Sequence, residues 1–268
     1  MTQSASIGSH LPYLRRFARA LTGSQRAGDA YAIATLEAIA KEPGGTKSVT
    51  RQSLFRIFLK IWRSATISRR GGEKPDSHLM RAADRTLEAL TPLPRVAFLP
   101  RALEGFTTAE AAEILDVSQA EAQDLLDAAG REIAAQLRTD VLIIEDEPII
   151  AMDLEAMVTD LGHSVLHITR THKEAVAAVA SRAPGLVLAD IQLADGSSGL
   201  DAVNDILTLC EVPVVFITAY PERLLTGIRP EPTFLITKPF RPDTVKAIIS
   251  QALFFDRRAA LAKAATAG

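Results

Sequence analysis

Between residues 141 and 240 the chain reads VLIIED (141–146), GLVLAD (185–190), VPVVFIT (212–218) and FLITKP (234–239), four short apolar runs that end at Glu145-Asp146, Asp190, Thr218 and Lys238. Runs that are apolar throughout mark strands buried on both faces, the habit of parallel sheets. Helix-period segments at 149–161, 171–182 and 200–209 lie between them, so the order is an alternating βα series. Such a series predicts an α/β doubly wound sheet. Ligands of open sheets sit outside the carboxyl ends of the strands, where these five residues converge.

The residue types suit one chemistry. Carboxylates gathered on one spot repel unless a cation sits among them, and a hard ion with oxygen ligands such as Mg²⁺ suits that set, with Asp146 and Asp190 as direct ligands. A carboxylate that attacks a phosphoryl donor becomes an acyl phosphate. Asp190 is the candidate nucleophile and Lys238 the candidate cation. Thr218 can donate its hydroxyl to a phosphoryl oxygen and draw the following loop inward, which places Tyr220 to change its exposure.

This pattern resembles the receiver domain of two-component response regulators, over residues 138–258. The resemblance implies a flavodoxin-like fold of five parallel strands, with Asp190 as phosphoacceptor. It also implies a Mg²⁺ site from Glu145, Asp146, Asp190 and the backbone carbonyl of Gln192, with Thr218, Lys238 and Tyr220 as the switch. Lys238-Pro239 repeats the family's lysine and often cis proline, while Glu145 stands where aspartate is commoner. A sensor histidine kinase is the implied phosphodonor. Self-phosphorylation and loss of the phosphate to water are the only chemistry expected, so the chain is not read as an enzyme.

Length and composition agree with two domains: 268 residues, 47% hydrophobic, formal net charge −2. No apolar run approaches the roughly 20 residues needed to span a bilayer, and MTQSASIGSH lacks a signal-peptide pattern. The single cysteine, Cys210, excludes an internal disulfide and suits a reducing, cytoplasmic setting. Charge divides unevenly: 18 basic against 15 acidic residues through 137, then 12 against 17.

The first half is helical by pattern, in LPYLRRFARALTG (11–23), AGDAYAIATLEAIAKE (27–42) and TRQSLFRIFLKIWRSA (50–65). ISRRGGEKPDSH (67–78) reads as a linker, and a second helical group follows over 79–137. There Thr107 precedes Glu110 and Ser118 precedes Glu121, two capping boxes around the tight LDVS connection at 115–118. That is helix-turn-helix spacing. Residues 1–137 resemble a small extracytoplasmic-function sigma factor, region 2-like over about 1–66 and region 4-like over 79–137, most clearly in EGFTTAEAAEILDVS (104–118).

A helix that reads DNA needs cations facing the phosphates. The would-be recognition helix, 118–130, carries Glu121, Asp124 and Asp127 and no Lys or Arg. It is read as an inactive reader, with no direct DNA binding. A second basic cluster (Arg51, Arg56, Lys60, Arg63, Arg69, Arg70, Lys74, Arg81, Arg85) reads as a solvated face with Phe55, Phe58 and Trp62 turned to the core.

Sigma-like half first and receiver second, with VFITAYPERLLTG (215–227) and FLITKPF (234–240), is similar to the PhyR family of general stress response regulators. Membership implies that phosphorylation of Asp190 frees the sigma-like half to sequester a NepR-type anti-sigma factor, with the receiver face at about 220–250 as the cover in the inactive form. The alternatives are a phosphorylation-controlled sigma factor, a DNA-binding response regulator, and a phosphoesterase. Residues 259–268 read as a fraying tail.

Overall fold

The structure, a computed structural model, describes residues 7–41, 49–70, 91–135, 138–193, 195–221 and 232–266. The chain divides into two compact units, Met1–Gly130 and Arg131–Gly268.

The first unit is helical: α1 (Ile7–Thr22), α2 (Gln25–Lys41), α3 (Arg51–Arg70), α4 (Leu93–Glu104), α5 (Thr108–Leu115) and most of α6 (Gln119–Ala134), whose last residues fall past the division at Gly130. Its core is an edge-to-face aromatic cluster. Phe17 of α1 meets Phe55 and Phe58 of α3 at 5.0 and 5.7 Å, and Phe55 meets Phe106 of the α4–α5 connection at 5.3 Å. Such ring pairs add about 0.5–1.5 kcal/mol each beyond area burial. The turn between α1 and α2 brings the two helices so close that a Cβ on Gly28 would lie 2.6 Å from the Arg19 nitrogen.

Buried charge is paired. Arg19 donates Nε and Nη2 to the two Asp29 carboxylate oxygens at 3.0 and 2.9 Å, and Arg15 adds a second fork. Burial pulls the Asp29 pKa upward, but the bonds and charges of Arg19 and Arg15 together outweigh it and hold the pKa below the usual carboxylate value. Glu104, whose carboxylate is fully buried, takes Arg16 from α1 at 3.1 Å and Arg51 from α3 at 2.5 Å. Arg51 also lies over the Phe106 ring, 4.6 Å from its centroid.

Both capping boxes form. Thr107 N–H donates to Glu110 Oε2 at 2.7 Å while Glu110 N–H donates to Thr107 Oγ1 at 3.2 Å, and Ser118 with Glu121 repeats the exchange at 2.8 and 3.2 Å. Between them Asp116 takes a left-handed conformation, φ 59°, as the C-cap of α5.

Three boundaries differ from the sequence reading. Residues 67–70 of the linker expected at 67–78 are helical, because α3 continues to Arg70; the rest of that linker, and residues 79–90 of the following helical group, lie outside the described residues. Gly130 does not end the recognition helix. It sits in open space, and the helix runs on to Ala134 with Arg131 in its last turn. At the C-terminus the expected fraying tail is helical through Thr266, as suits an alanine-rich run without a breaker.

The second unit is the doubly wound sheet. Strands β1 (Asp140–Ile144), β2 (Ser164–Thr169), β3 (Leu186–Asp190), β4 (Val214–Thr218) and β5 (Phe234–Thr237) stand in the order β2-β1-β3-β4-β5, all parallel. Helices α7 (Pro148–Asp160), α8 (His172–Ser181), α9 (Gly199–Leu209) and α10 (Pro242–Thr266) connect and cover them. β3 is buried at all five residues, which is why its sequence shows no alternation. Strand order reverses between β1 and β3, and the crevice at their carboxyl ends is the switch point of this topology. Among the described residues no helix is long and apolar enough to cross a membrane.

Candidate functional site

Each strand delivers its last residues to one edge. β3 ends on Asp190, which pairs in register with Ile217, one residue before Thr218; Thr218 in turn pairs with Thr237, one residue before Lys238. The peptide between Lys238 and Pro239 is cis. Lys238 N–H donates to the Thr218 carbonyl at 2.8 Å, so the lysine is fixed by backbone as well as by charge.

Lys238 Nζ lies 2.7 Å from Asp190 Oδ2, 2.8 Å from Glu145 Oε2 and 3.6 Å from Glu147 Oε1. Carboxylate oxygens of Glu145, Glu147 and Asp190 all fall within 4.8 Å of one another. Burial works against charge on Lys238, but its bonds to Asp190 and Glu145 and their charges prevail, and its pKa stands above the ordinary lysine value. Burial dominates at Glu145, so its carboxyl is pushed up despite the lysine. One ammonium among three clustered carboxylates leaves an excess of negative charge on hard oxygen donors, which fits a divalent cation such as Mg²⁺.

The site opens as a cleft of about 330 Å³ lined by Asp146, Glu147, Asp190, Gln192, Leu193, Thr218, Ala219, Tyr220 and Lys238. Asp190 is buried, and its Oδ1 accepts the backbone N–H of Gln192 at 3.4 Å. The loop after it folds back through a bridge between Gln192 and Ser198, and Gly199 N–H donates to the Ile191 carbonyl at 2.8 Å. Gly199 packs so tightly there that a Cβ would lie 1.8 Å from the Asp190 carbonyl oxygen. Thr218 is buried and its Oγ1 accepts the Tyr220 N–H at 3.0 Å, whereas the Tyr220 side chain is exposed.

The residues singled out in the sequence, Asp146, Asp190, Gln192, Thr218, Tyr220 and Lys238, all line this cleft, and Glu145 is buried beneath it against Lys238. Glu147 was not singled out. Its signal was the third acid of EDEP, masked by its place as the N-cap before Pro148 of α7. Residues 222–231 of the expected covering face lie outside the described residues.

In the helical unit, Glu121, Asp124 and Asp127 are all exposed on α6, and Gln123 bonds Asp127 at 2.9 Å. The cations of α3 turn out not to be simply solvated. Besides the Arg51 pair with Glu104, Arg56 pairs with Asp116 at 3.1 Å and Arg63 donates to the Leu115 carbonyl at 2.8 Å, both at the turn of the helix-turn-helix. Phe55, Phe58 and Trp62 are buried. The side chains of Arg69, Arg70, Lys74, Arg81 and Arg85 lie outside the described residues.

Sequence models of three families match in succession: the Sigma2 domain of PhyR over residues 7–59, the sigma-like domain of response regulator PhyR over 87–136, and the response regulator receiver domain over 141–250. The phyllosphere-induced regulator PhyR of Methylorubrum extorquens is 58% identical over 262 residues, 97% of each chain. The crystal structure of the response regulator PhyR from Brucella abortus is 53% identical with TM-score 0.82, covering 98% of both chains. That of the anti-anti-sigma factor PhyR from Bartonella quintana is 51% identical with TM-score 0.81, covering 96% of this chain and 97% of the other. A sigma-like helical unit whose reader helix presents acids, joined to a sheet that gathers Asp190, Thr218 and Lys238 at one edge, is thus matched over nearly its whole length, and the chain belongs to the PhyR family of response regulators.

Proposed function

We propose that this chain is a cytoplasmic, phosphorylation-activated anti-anti-sigma factor: phosphorylation of Asp190 in the receiver, about 138–258, frees the sigma-like half, about 1–137, to sequester a NepR-type anti-sigma factor and switch on general stress transcription. The observation that carries the proposal is the convergence of Asp190 and Glu145 on Lys238, at 2.7 and 2.8 Å, in a chain whose other unit has the form of a sigma factor with acids on its reader helix. The anti-anti-sigma role named for the Bartonella quintana relative supports it.

An Asp190 carboxylate oxygen forms a bond to the phosphorus of a phosphohistidine donor on a sensor kinase as the P–N bond breaks, and the electron pair leaves on the imidazole nitrogen. Asp146, Asp190 and the Gln192 carbonyl would hold Mg²⁺, with Glu145 buried behind them and Glu147 on the exposed lining of the cleft beside them. The ion, when bound, neutralises charge on the transferring phosphoryl group. Lys238 exchanges its ion pair with Asp190 Oδ2 for a phosphoryl oxygen. Thr218 donates its hydroxyl hydrogen to another. Because the same hydroxyl oxygen holds the Tyr220 N–H, its inward turn pulls on the Tyr220 backbone. Beyond acquiring and losing this phosphate the chain performs no catalysis.

A switch from 1:99 to 99:1 needs about 5.5 kcal/mol of differential stabilisation, which phosphate and partner can share. The test is calorimetric titration of a NepR-type anti-sigma factor into the full chain, with and without Mg²⁺ and beryllofluoride. Activation should tighten binding at least tenfold, and Asp190→Ala should abolish that gain. Equal binding by all forms, or tight donor-independent binding by Asp190→Ala, refutes the proposal.

A further inference from the structure

The acidic end of β1 must hold Asp146 toward the cleft although that residue has already left the strand. Two neighbours from the end of β2 do this. Glu145 N–H donates to the Thr169 carbonyl at 2.9 Å, continuing the ladder one residue beyond β1. Arg170 then donates Nε and Nη2 to the Asp146 carbonyl at 3.3 and 3.0 Å. The arginine is itself anchored where α8 begins: its N–H donates to Glu174 Oε2 at 2.8 Å, and Glu174 N–H donates to the N-cap Thr171 Oγ1 at 3.3 Å.

By charge alone Arg170 is misplaced. A guanidinium beside a site built to attract a divalent cation raises the local potential and opposes the ion, and the cleft already contains Lys238. What Arg170 offers is shape, because a planar fork placing two N–H groups on one carbonyl oxygen fixes a peptide's orientation as a flexible ammonium cannot. We infer that Arg170 is a positioning residue of the phosphorylation site, gripping the Asp146 carbonyl so that Asp146 keeps its place in the lining of the cleft it shares with Asp190. This rests on Asp146 being a Mg²⁺ ligand.

The two roles differ in sign, which makes the inference testable. MgCl₂ is titrated into the full-length chain and its two variants Arg170→Ala and Arg170→Lys, followed by amide NMR, with Asp146→Asn as the control and melting without Mg²⁺ as a second readout. Positioning predicts that both arginine variants weaken Mg²⁺ by about tenfold, as loss of supporting contacts to metal ligands commonly does, while the Mg²⁺-free melting temperature holds, because the side chain is exposed. Unchanged or tighter Mg²⁺ in Arg170→Ala overturns the inference, as does wild-type affinity in Arg170→Lys, which keeps the charge. A loss that merely tracks a fall in melting temperature overturns it too. Should Asp146→Asn bind Mg²⁺ normally, the ligand assignment itself fails and takes the inference with it; should that control lose Mg²⁺ while the arginine variants do not, the inference alone fails.

Discussion

Substituting Gly199 with alanine tests how tightly the phosphoacceptor is held. The added Cβ would lie 1.8 Å from the Asp190 carbonyl oxygen, 2.9 Å from its carbonyl carbon and 3.5 Å from Ile191 Cα. Carbon and oxygen do not approach much closer than about 3.3 Å, so the two backbones must separate by about 1.5 Å. None of the atoms met belongs to a flexible side chain; the shift has to move Asp190 itself or break the Gly199 N–H bond to Ile191. Overpacking of this kind costs about 1–3 kcal/mol, and misplacing a reacting group by about 1 Å can cost on the order of 100-fold in rate. Gly196, three residues earlier, supplies the contrast: it has a left-handed φ of 75° but open space around its Cβ position, so alanine there costs only the conformational strain of about 1–2 kcal/mol. The assay is the rate of aspartyl-phosphate formation from a small phosphodonor with saturating Mg²⁺, read by intact mass. Gly199→Ala should fall by about 100-fold and Gly196→Ala by less than about fivefold. A folded Gly199→Ala that phosphorylates within threefold of wild type would show that the close approach does not set the position of Asp190.

Three further outcomes are expected. Glu104→Gln breaks a fully buried carboxylate's pairs with Arg16 and Arg51 and should cost about 3 kcal/mol; urea unfolding followed by the fluorescence of Trp62, the single tryptophan of the chain, reports on the helical unit and would contradict the reasoning with a loss below about 1 kcal/mol. Lys238→Met leaves Glu145, Glu147 and Asp190 crowded without their ammonium, so calorimetry should show a lower receiver melting temperature without Mg²⁺ and a larger rise on adding it than in wild type; an equal rise in both counts against the electrostatic account. His163 is buried, its Nδ1 has no partner among the described residues, and burial holds its pKa below the ordinary histidine value. The unfolded chain therefore takes up a proton as pH falls through about 6.5 while the folded one does not, so receiver stability is full above that pH and declines below it by up to about 1.4 kcal/mol per unit. His163→Phe should flatten that decline between pH 7.5 and 5.5, and an unchanged slope would exclude His163 as its source.

The receiver was legible because its chemistry sits at strand ends, where buried apolar runs announce themselves and a single residue follows each. The capping boxes at Thr107 and Ser118 were legible for a similar reason: both partners lie within one helical turn. What the sequence hid depends on distance along the chain. The pairs of Arg56 with Asp116 and Arg51 with Glu104 span 60 and 53 residues, and nothing local distinguishes such an arginine from a solvated one. Arg170 was invisible because it acts on a carbonyl, which every residue carries. Gly130 looks like a breaker, yet α6 runs through it, where the helix is exposed and unhindered.

The Arg51–Glu104 pair also bears on how the helical unit folds. Arg51 is the first residue of α3 and Glu104 the last of α4. Each carries the sign that its own helix terminus disfavours, since helix dipoles favour acids at the amino end and bases at the carboxyl end. Taken alone, both helices therefore carry an unfavourable charge at those ends. The pair offsets both penalties at once and so couples the two stretches matched by separate family models, 7–59 and 87–136, each terminal charge contributing about 0.3–1 kcal/mol.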